Sequence, residues 1–360
     1  MPAHLFVDIS SHGFGHLGQT APVLAALQQR LPGMRLTVRS GLPASLLQAR
    51  IGTEFVHIDA ASDFGFVQRD AVSIDHVATR RAYREAHRDF DRCVAQEAEF
   101  LAGLAPDLVL SNVAYLPLAG ARRAGMPSVA MSSLNWFDLA THFYSEESWA
   151  LRVTAEIREA YAAADCMFAL TPGMPMAGFP RRQPVGPVAC IAGAGARAQV
   201  RAALGVGERE TLVLVATGGF DLDIPLAGWP QRDDLRYLVP AAWQSRHPAA
   251  LGFGLTEFDF TALLRAADVV LTKPGYGTFV EAACNGVPLL YLRREDWPEQ
   301  EFLIRWLRQY GRCNEVAWAD LASGTWLKTM DRLLAQPFVA AVAATGADEV
   351  AIRLAGYLER

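Results

Sequence analysis

Two histidines four residues apart, His12 and His16, lie in the glycine-rich stretch SSHGFGHLGQTAPVLAAL, directly after the apolar run Leu5 to Ile9. Gly13, Gly15 and Gly18 satisfy the pattern G-x-G-x-x-G at a strand-to-helix junction, where glycine tolerates positive φ and lets a ligand approach the backbone. The N–H groups that open the following helix favour an anion or a developing negative charge. An imidazole in such a turn is able to take a proton from an incoming hydroxyl, which makes His16 the candidate general base. The competing reading is that both imidazoles only hydrogen-bond nearby backbone. A metal is not expected, because two histidines at this spacing share a metal on a continuous helix and the intervening glycines oppose one. A dinucleotide would call for an acidic side chain at the end of the second strand; LTVRSGLP offers Arg39 and Ser40, which disfavours NAD and leaves NADP open.

A second chemical segment is LTKPGYGTFVEAACNGVPLLYLRREDWPEQEFL, residues 271 to 303. Lys273 and the backbone of Gly275, Tyr276, Gly277 and Thr278 are suited to neutralise a diphosphate at a helix N-terminus. Glu281, one turn inside, offers an ionised acceptor for both hydroxyls of a ribose. Thr278-x-x-Glu281 is equally a capping box, in which the two side chains satisfy backbone donors and no ligand is needed. Glu299 and Gln300, read as part of a loop after the next strand, supply mixed acceptors and donors for sugar hydroxyls; the alternative is a solvated acidic turn. Gly218 and Gly219 in ATGGF add a third, weaker glycine turn.

These turns need strands before them and helices after them. Apolar runs at Leu5 to Ile9, Leu36 to Val38, Phe55 to Ile58, Asp107 to Leu110, Ser128 to Met131 and Met167 to Leu170 alternate with helix-length text, which predicts a parallel sheet covered on both faces. The Pro- and Gly-rich segment Thr171 to Gly195 reads as an irregular connection. The alternation then resumes at Leu212 to Ala216, Tyr237 to Val239, Val269 to Leu271 and Leu289 to Leu292. Val350, Ile352, Leu354, Ala355 and Leu358 recur at helical spacing, so an amphipathic helix is expected there. The expected organisation is two α/β domains, 1–180 and 181–345, and a C-terminal helix at 346–360.

Of the 360 residues, 51% are apolar and 20% charged, a composition that fits packed globular domains. A formal charge of -5 offers little to a nucleic-acid backbone. Five cysteines with no close pair suggest neither a disulfide framework nor a zinc ribbon, and fit a cytoplasmic protein. No leader or membrane-spanning run is legible. Peripheral contact with a membrane stays open, because a patch assembled from distant segments leaves no linear signature.

HGFGH at 12 to 16, FGFVQRDAVSIDH at 64 to 76, APDLVLSN at 105 to 112 and KPGYGTFVEA at 273 to 282 resemble GT-B glycosyltransferases, and most closely the glycosyltransferase-like N-terminal region of L-arabinokinases. The chain is similar, more loosely, to the peptidoglycan N-acetylglucosaminyltransferases. The resemblance implies two facing Rossmann-like domains with parallel sheets and an interdomain cleft. It also implies a metal-independent, inverting hexosyl- or pentosyltransferase that needs no cofactor, with a nucleotide-diphosphate sugar, UDP foremost, as donor. His16 matches the base, residues 273–278 the diphosphate turn, Glu281 the ribose ligand, and Glu299 and Gln300 the donor-sugar contacts. His12, Gly13 and Gly15 fall on the acceptor side; the acceptor itself, whether small molecule, lipid or glycan, is not legible. Two positions depart from the pattern: Glu299-Gln300 stands for the usual Asp-Gln, and Asn112 stands where related text carries an acid. A non-catalytic nucleotide-sugar binding module, an NADP-dependent oxidoreductase and a nucleotide-sugar epimerase are the alternatives.

Overall fold

The computed structural model describes residues 2–219, 224–254 and 258–359. Two compact units emerge: Met1–Arg69, Ile74–Val188 and Thr345–Arg360 form the first, and Asp70–Ser73 with Ala189–Ala344 the second.

In the first unit, seven strands build one parallel sheet: β1 (His4–Ile9), β2 (Arg35–Arg39), β3 (Val56–Ile58), β4 (Leu108–Asn112), β5 (Ser128–Ser132), β6 (Cys166–Leu170) and β7 (Arg182–Val185). Seven helices connect them: α1 (Gly15–Arg30), α2 (Ala44–Ile51), α3 (His76–Ala86), α4 (Phe90–Leu104), α5 (Leu116–Arg123), α6 (Trp136–Tyr144) and α7 (Ala150–Ala163). Strand β1 is buried at every position and pairs with β2 on one side and β4 on the other. A strand with helices over both faces has no polar side, which is why HLFVDI is nearly continuous apolar text.

The second unit repeats the plan with β8 (Thr211–Ala216), β9 (Leu235–Pro240), β10 (Ala250–Phe253), β11 (Val269–Thr272), β12 (Leu289–Tyr291) and β13 (Cys313–Glu315). Its helices are α8 (Ala196–Ala203), α9 (Phe260–Ala266), α10 (Tyr276–Cys284), α11 (Glu299–Tyr310), α12 (Trp318–Ser323) and α13 (Leu327–Leu334). Alternate residues of the strands, Val213, Val215, Tyr237, Val239, Val269 and Leu271, pack with Trp229, Trp326 and Met330 into one core, the period-2 signature of a sheet face.

The strand orders are β3-β2-β1-β4-β5-β6-β7 and β10-β9-β8-β11-β12-β13. Counted within each sheet, both begin 3-2-1-4-5-6, the doubly wound order. That order reverses direction between the first and fourth strands, and the carboxyl ends of those two strands leave a crevice suited to a ligand.

Three strands depart from the sequence reading. β7 lies inside Thr171 to Gly195, the stretch expected to be irregular, and it extends the first sheet beside β6. The first unit accordingly continues past residue 180, to Val188. β10 and β13 form the two edges of the second sheet. The C-terminal helix runs Gly346–Leu358 and belongs to the first unit. It is pinned there by Glu349, whose carboxylate accepts from the Gly186 N–H at 3.1 Å, and by the Gly346 N–H on the Pro187 carbonyl at 2.9 Å. A Cβ at Gly186 would fall 2.0 Å from Thr345 Oγ1, so this approach needs glycine. Val350, Leu354, Ala355 and Leu358 face inward as their spacing requires, but Ile352 is exposed.

Candidate functional site

The switch point of the first sheet holds His16. After β1 the chain turns through Gly13, whose φ is 76°, and enters α1 with Phe14 as its N-cap and no side-chain cap. Gly13 is thus the glycine whose conformation demands it; Gly15 and Gly18 lie in the helix itself. His16 is buried, and its Nδ1 donates to Asn112 Oδ1 at the end of β4 at 2.8 Å. Asn112 Nδ2 in turn donates to Gln19 Oε1 at 3.1 Å, and Gln19 Nε2 to Ser133 Oγ at 2.8 Å. This amide chain sets the direction of every donor in it. For the neutral imidazole it assigns the proton to Nδ1 and leaves the lone pair on Nε2, the tautomer a base needs. Asn112 is neutral, however, and cannot form an ion pair with an imidazolium.

His12 behaves differently. Its Nε2 donates to the Phe66 carbonyl at 2.9 Å, so it fastens the loop between β3 and α3 to the glycine turn. Gly65 makes that contact feasible: its φ is 59°, and a Cβ there would lie 2.8 Å from the His12 ring and 2.9 Å from Trp136. The Trp136 indole stands edge-on to both imidazoles, with centroids 5.2 Å from His12 and 5.9 Å from His16. Asp63 holds it, accepting from Trp136 Nε1 at 2.7 Å and from Ser10 Oγ at 2.9 Å. Burial, with Asp8 adding to it, pushes the Asp63 carboxyl up to about 7. Phe66, Trp136 and Tyr144 are core residues. Phe64, in the loop before α3, and Phe137 and Phe143, on α6, are half-buried.

Arg39 closes one alternative. Its Nε donates to Asp8 at 2.5 Å, and its two Nη groups bind Glu97 at 2.9 and 2.6 Å. All three nitrogens are committed within a buried triad, so this guanidinium is not available for the 2′-phosphate of NADP.

The switch point of the second sheet carries charge. β8 ends at Ala216 and β11 at Thr272, directly paired. Beyond β8 the chain turns through Gly218 and Gly219 with φ of 73° and 89°. Phe220, which ends that stretch of sequence, lies outside the described residues. Beyond β11 comes half-buried Lys273, its Nζ against both glycine turns: a Cβ at Gly218 would be 3.6 Å from it and one at Gly275 only 3.2 Å. Burial pulls the Lys273 ammonium down to about 7, Arg294 acts in the same direction, and Glu299 opposes them.

Gly275, in extended backbone, is the N-cap of α10, and no side chain caps this end. Thr278 therefore lies inside the first turn, and the capping box expected of Thr278 and Glu281 does not form. Glu281 is buried in the second turn, so its carboxylate is not explained by capping. The N–H groups at Tyr276, Gly277 and Thr278 belong to the end where the helix dipole is positive.

Glu299 and Gln300 are not in a loop: they are the first two residues of α11, after Pro298, and both are buried. Glu299 accepts from Trp297 Nε1 at 3.2 Å. Gln300 braces the segment before it, with Oε1 accepting from the Arg294 N–H at 3.0 Å and Nε2 donating to the Arg294 carbonyl at 3.3 Å. The solvated acidic turn is thus excluded for this pair, while Glu301 is exposed and bound to Arg293. Arg294 is a residue the sequence reading overlooked. It is buried over the Trp297 ring at 3.9 Å, and burial pulls its guanidinium down to about 10. Gln19, one helical turn after His16, was overlooked as well, although the i, i+3 spacing on α1 was readable.

With this geometry in hand, comparison with known proteins gives the architecture: two parallel-sheet Rossmann-like units of the GT-B type. The spinosyn forosaminyltransferase SpnP superposes over 99% of both chains with a TM-score of 0.65 and 16% identity. The calicheamicin glycosyltransferase CalG4 superposes over 100% of this chain and 99% of its own, with a TM-score of 0.63 and 16% identity. A structure described as a putative UDP-N-acetylglucosamine 2-epimerase from Listeria monocytogenes matches over 99% of this chain and 97% of its own, with a TM-score of 0.61 and 14% identity. In sequence, the chain is similar to L-arabinokinase of Arabidopsis thaliana, 26% identical over an alignment of 336 residues that covers 90% of this chain. The match spans 31% of that protein's length. No family model matches the chain.

Proposed function

We propose that the protein is a glycosyltransferase that takes a sugar from a nucleotide-diphosphate donor, UDP foremost, without a metal. The observation that carries this reading is Lys273, set against two glycine turns at the head of an α10 helix that no side chain caps. A cation, the N–H groups of a first helical turn and a helix dipole at one point stabilise a departing diphosphate more than they stabilise the intact donor. Glu281 would hold the ribose hydroxyls, Gly218 and Gly219 would add backbone donors, and Glu299 and Gln300 would meet the sugar. Gln300 keeps one N–H and one lone pair for that purpose after bracing Arg294.

His16 would accept the proton of the acceptor hydroxyl at Nε2 while the bond from the anomeric carbon to the diphosphate breaks. Transfer with a general base and no glycosyl-enzyme intermediate proceeds with inversion. The likeness to SpnP and CalG4, which are named as sugar transferases, and to the epimerase, named for a UDP-sugar, supports nucleotide-sugar chemistry.

A non-catalytic binding module is the second reading, and Asn112 favours it, since a neutral amide supports an imidazolium less than a carboxylate does. Calorimetry with UDP-, GDP- and dTDP-sugars, followed by product analysis with and without acceptors, tests both. Binding with sugar transfer or donor hydrolysis supports the enzyme. Binding without turnover supports the module, and an isomerised donor sugar formed without acceptor points to an epimerase. No binding by any of them overturns the proposal.

A further inference from the structure

Helix α3 carries an arginine face unrelated to either switch point. Arg80, Arg81 and Arg84, with Arg88 just past its end, share one open surface with Val77 and Glu85. The formal charge of the chain is -5, so the sign is reversed locally. Arg80 pairs with Glu147 at 2.6 Å and Arg88 with Glu85. Arg81 and Arg84 are exposed and enter no ion pair among the described residues. The opposite face of α3 buries Thr79 and Tyr83, which fixes the arginines outward.

Two aliphatic side chains accompany them. Val77 is 76% exposed, and Leu151 on α7 is 70% exposed. Two contacts tie the start of α7 to the α3 segment: Glu147, just before α7, holds Arg80, and Arg152 Nη2 donates to the His87 carbonyl at 2.8 Å.

Guanidinium groups spaced along a helix do not converge on one point, so the row is poorly suited to chelating a single small phosphate. It matches phosphates repeated over a surface, and exposed aliphatics beside cations contribute only where that surface has an apolar layer beneath. We propose that this face docks on the anionic surface of a phospholipid bilayer, with the arginines at the headgroup phosphates and Val77 and Leu151 at the acyl boundary. The contact is peripheral, since no helix among the described residues is long and apolar enough to cross a membrane. It does not depend on the glycosyl-transfer reading.

Co-sedimentation of the full chain with extruded vesicles tests the proposal. The expected result is association with phosphatidylcholine vesicles containing phosphatidylserine, none with phosphatidylcholine alone, and loss of association as salt rises. Each arginine near an anionic surface contributes about fivefold to partitioning. Arg81→Ala with Arg84→Ala should therefore lower it about twentyfold or more, whereas Arg81→Lys with Arg84→Lys keeps it. Val77→Ser with Leu151→Ser should weaken association while leaving its salt dependence unchanged. All of these positions are exposed, so the melting temperature should stay at the wild-type value. Failure of the wild type to sediment with anionic vesicles overturns the proposal. So does equal sedimentation of the alanine pair, or binding of a soluble polyanion such as heparin with none to vesicles.

Discussion

The two units place different chemistry at the same topological point. Where β1 and β4 diverge, a hydrogen-bonded chain of histidine, asparagine, glutamine and serine orients one imidazole. Where β8 and β11 diverge, a lysine stands between two glycine turns with a second cation, Arg294, close enough to depress its pKa. One strand order thus supplies two crevices, and the loops decide which side chains line each. The proposed reaction needs both.

That division is open to attack by mutation. His16→Ala should cut turnover by about a hundredfold or more while donor affinity stays at the wild-type value. Lys273→Ala should do the reverse in binding, weakening a nucleotide-diphosphate sugar by about a hundredfold in calorimetry. Equal losses in both variants, or a binding defect in the histidine variant, would erase the distinction between the crevices.

Lys273 also makes a pH signature. Its ammonium deprotonates in the folded protein near 7 against an ordinary 10.5. A diphosphate selects the charged form, so donor affinity should fall by up to about tenfold per unit as pH rises above 7, with proton uptake on binding. The unliganded protein should respond oppositely. Between about 7 and 10.5 the unfolded chain holds the proton that the folded chain has lost, so stability rises with pH through that window. A flat affinity profile from pH 7 to 9 would remove the lysine from the site.

Asn112→Asp sharpens the other crevice. A carboxylate accepting from Nδ1 favours the imidazolium, and the acidic limb of kcat/KM should move up by about one pH unit. The smallest effect is expected from Thr278→Ala. With Gly275 as N-cap, stability should change by less than about 0.5 kcal/mol, whereas loss of a true cap costs about 1 kcal/mol in a denaturation experiment.

The glycine turns were legible because each follows a largely apolar run, and such runs are the central strands. The strands that escaped notice, β7, β10 and β13, are all sheet edges. Edge strands are half-solvated and short, and β7 includes Pro184, which a central strand would not accept. Glu299 and Gln300 were misread as loop although a proline followed by acidic residues is a helix-start signal. Thr278 and Glu281 had the spacing of a cap but not its position. Nothing in the local sequence tells Asn112 from any other strand-end asparagine. Its meeting with His16 depends on strand order, which is a property of the whole sheet.

The first unit is not finished until its thirteen-residue closing helix, Gly346–Leu358, arrives. During synthesis the intervening unit emerges complete before that helix exists. The first sheet must wait with the flank of α1 uncovered, a vulnerability to chaperones and proteases that a chain with two consecutive domains would not have. Removing the helix should therefore compromise the histidine-bearing half of the molecule, even though the deletion lies more than three hundred residues away from it in sequence.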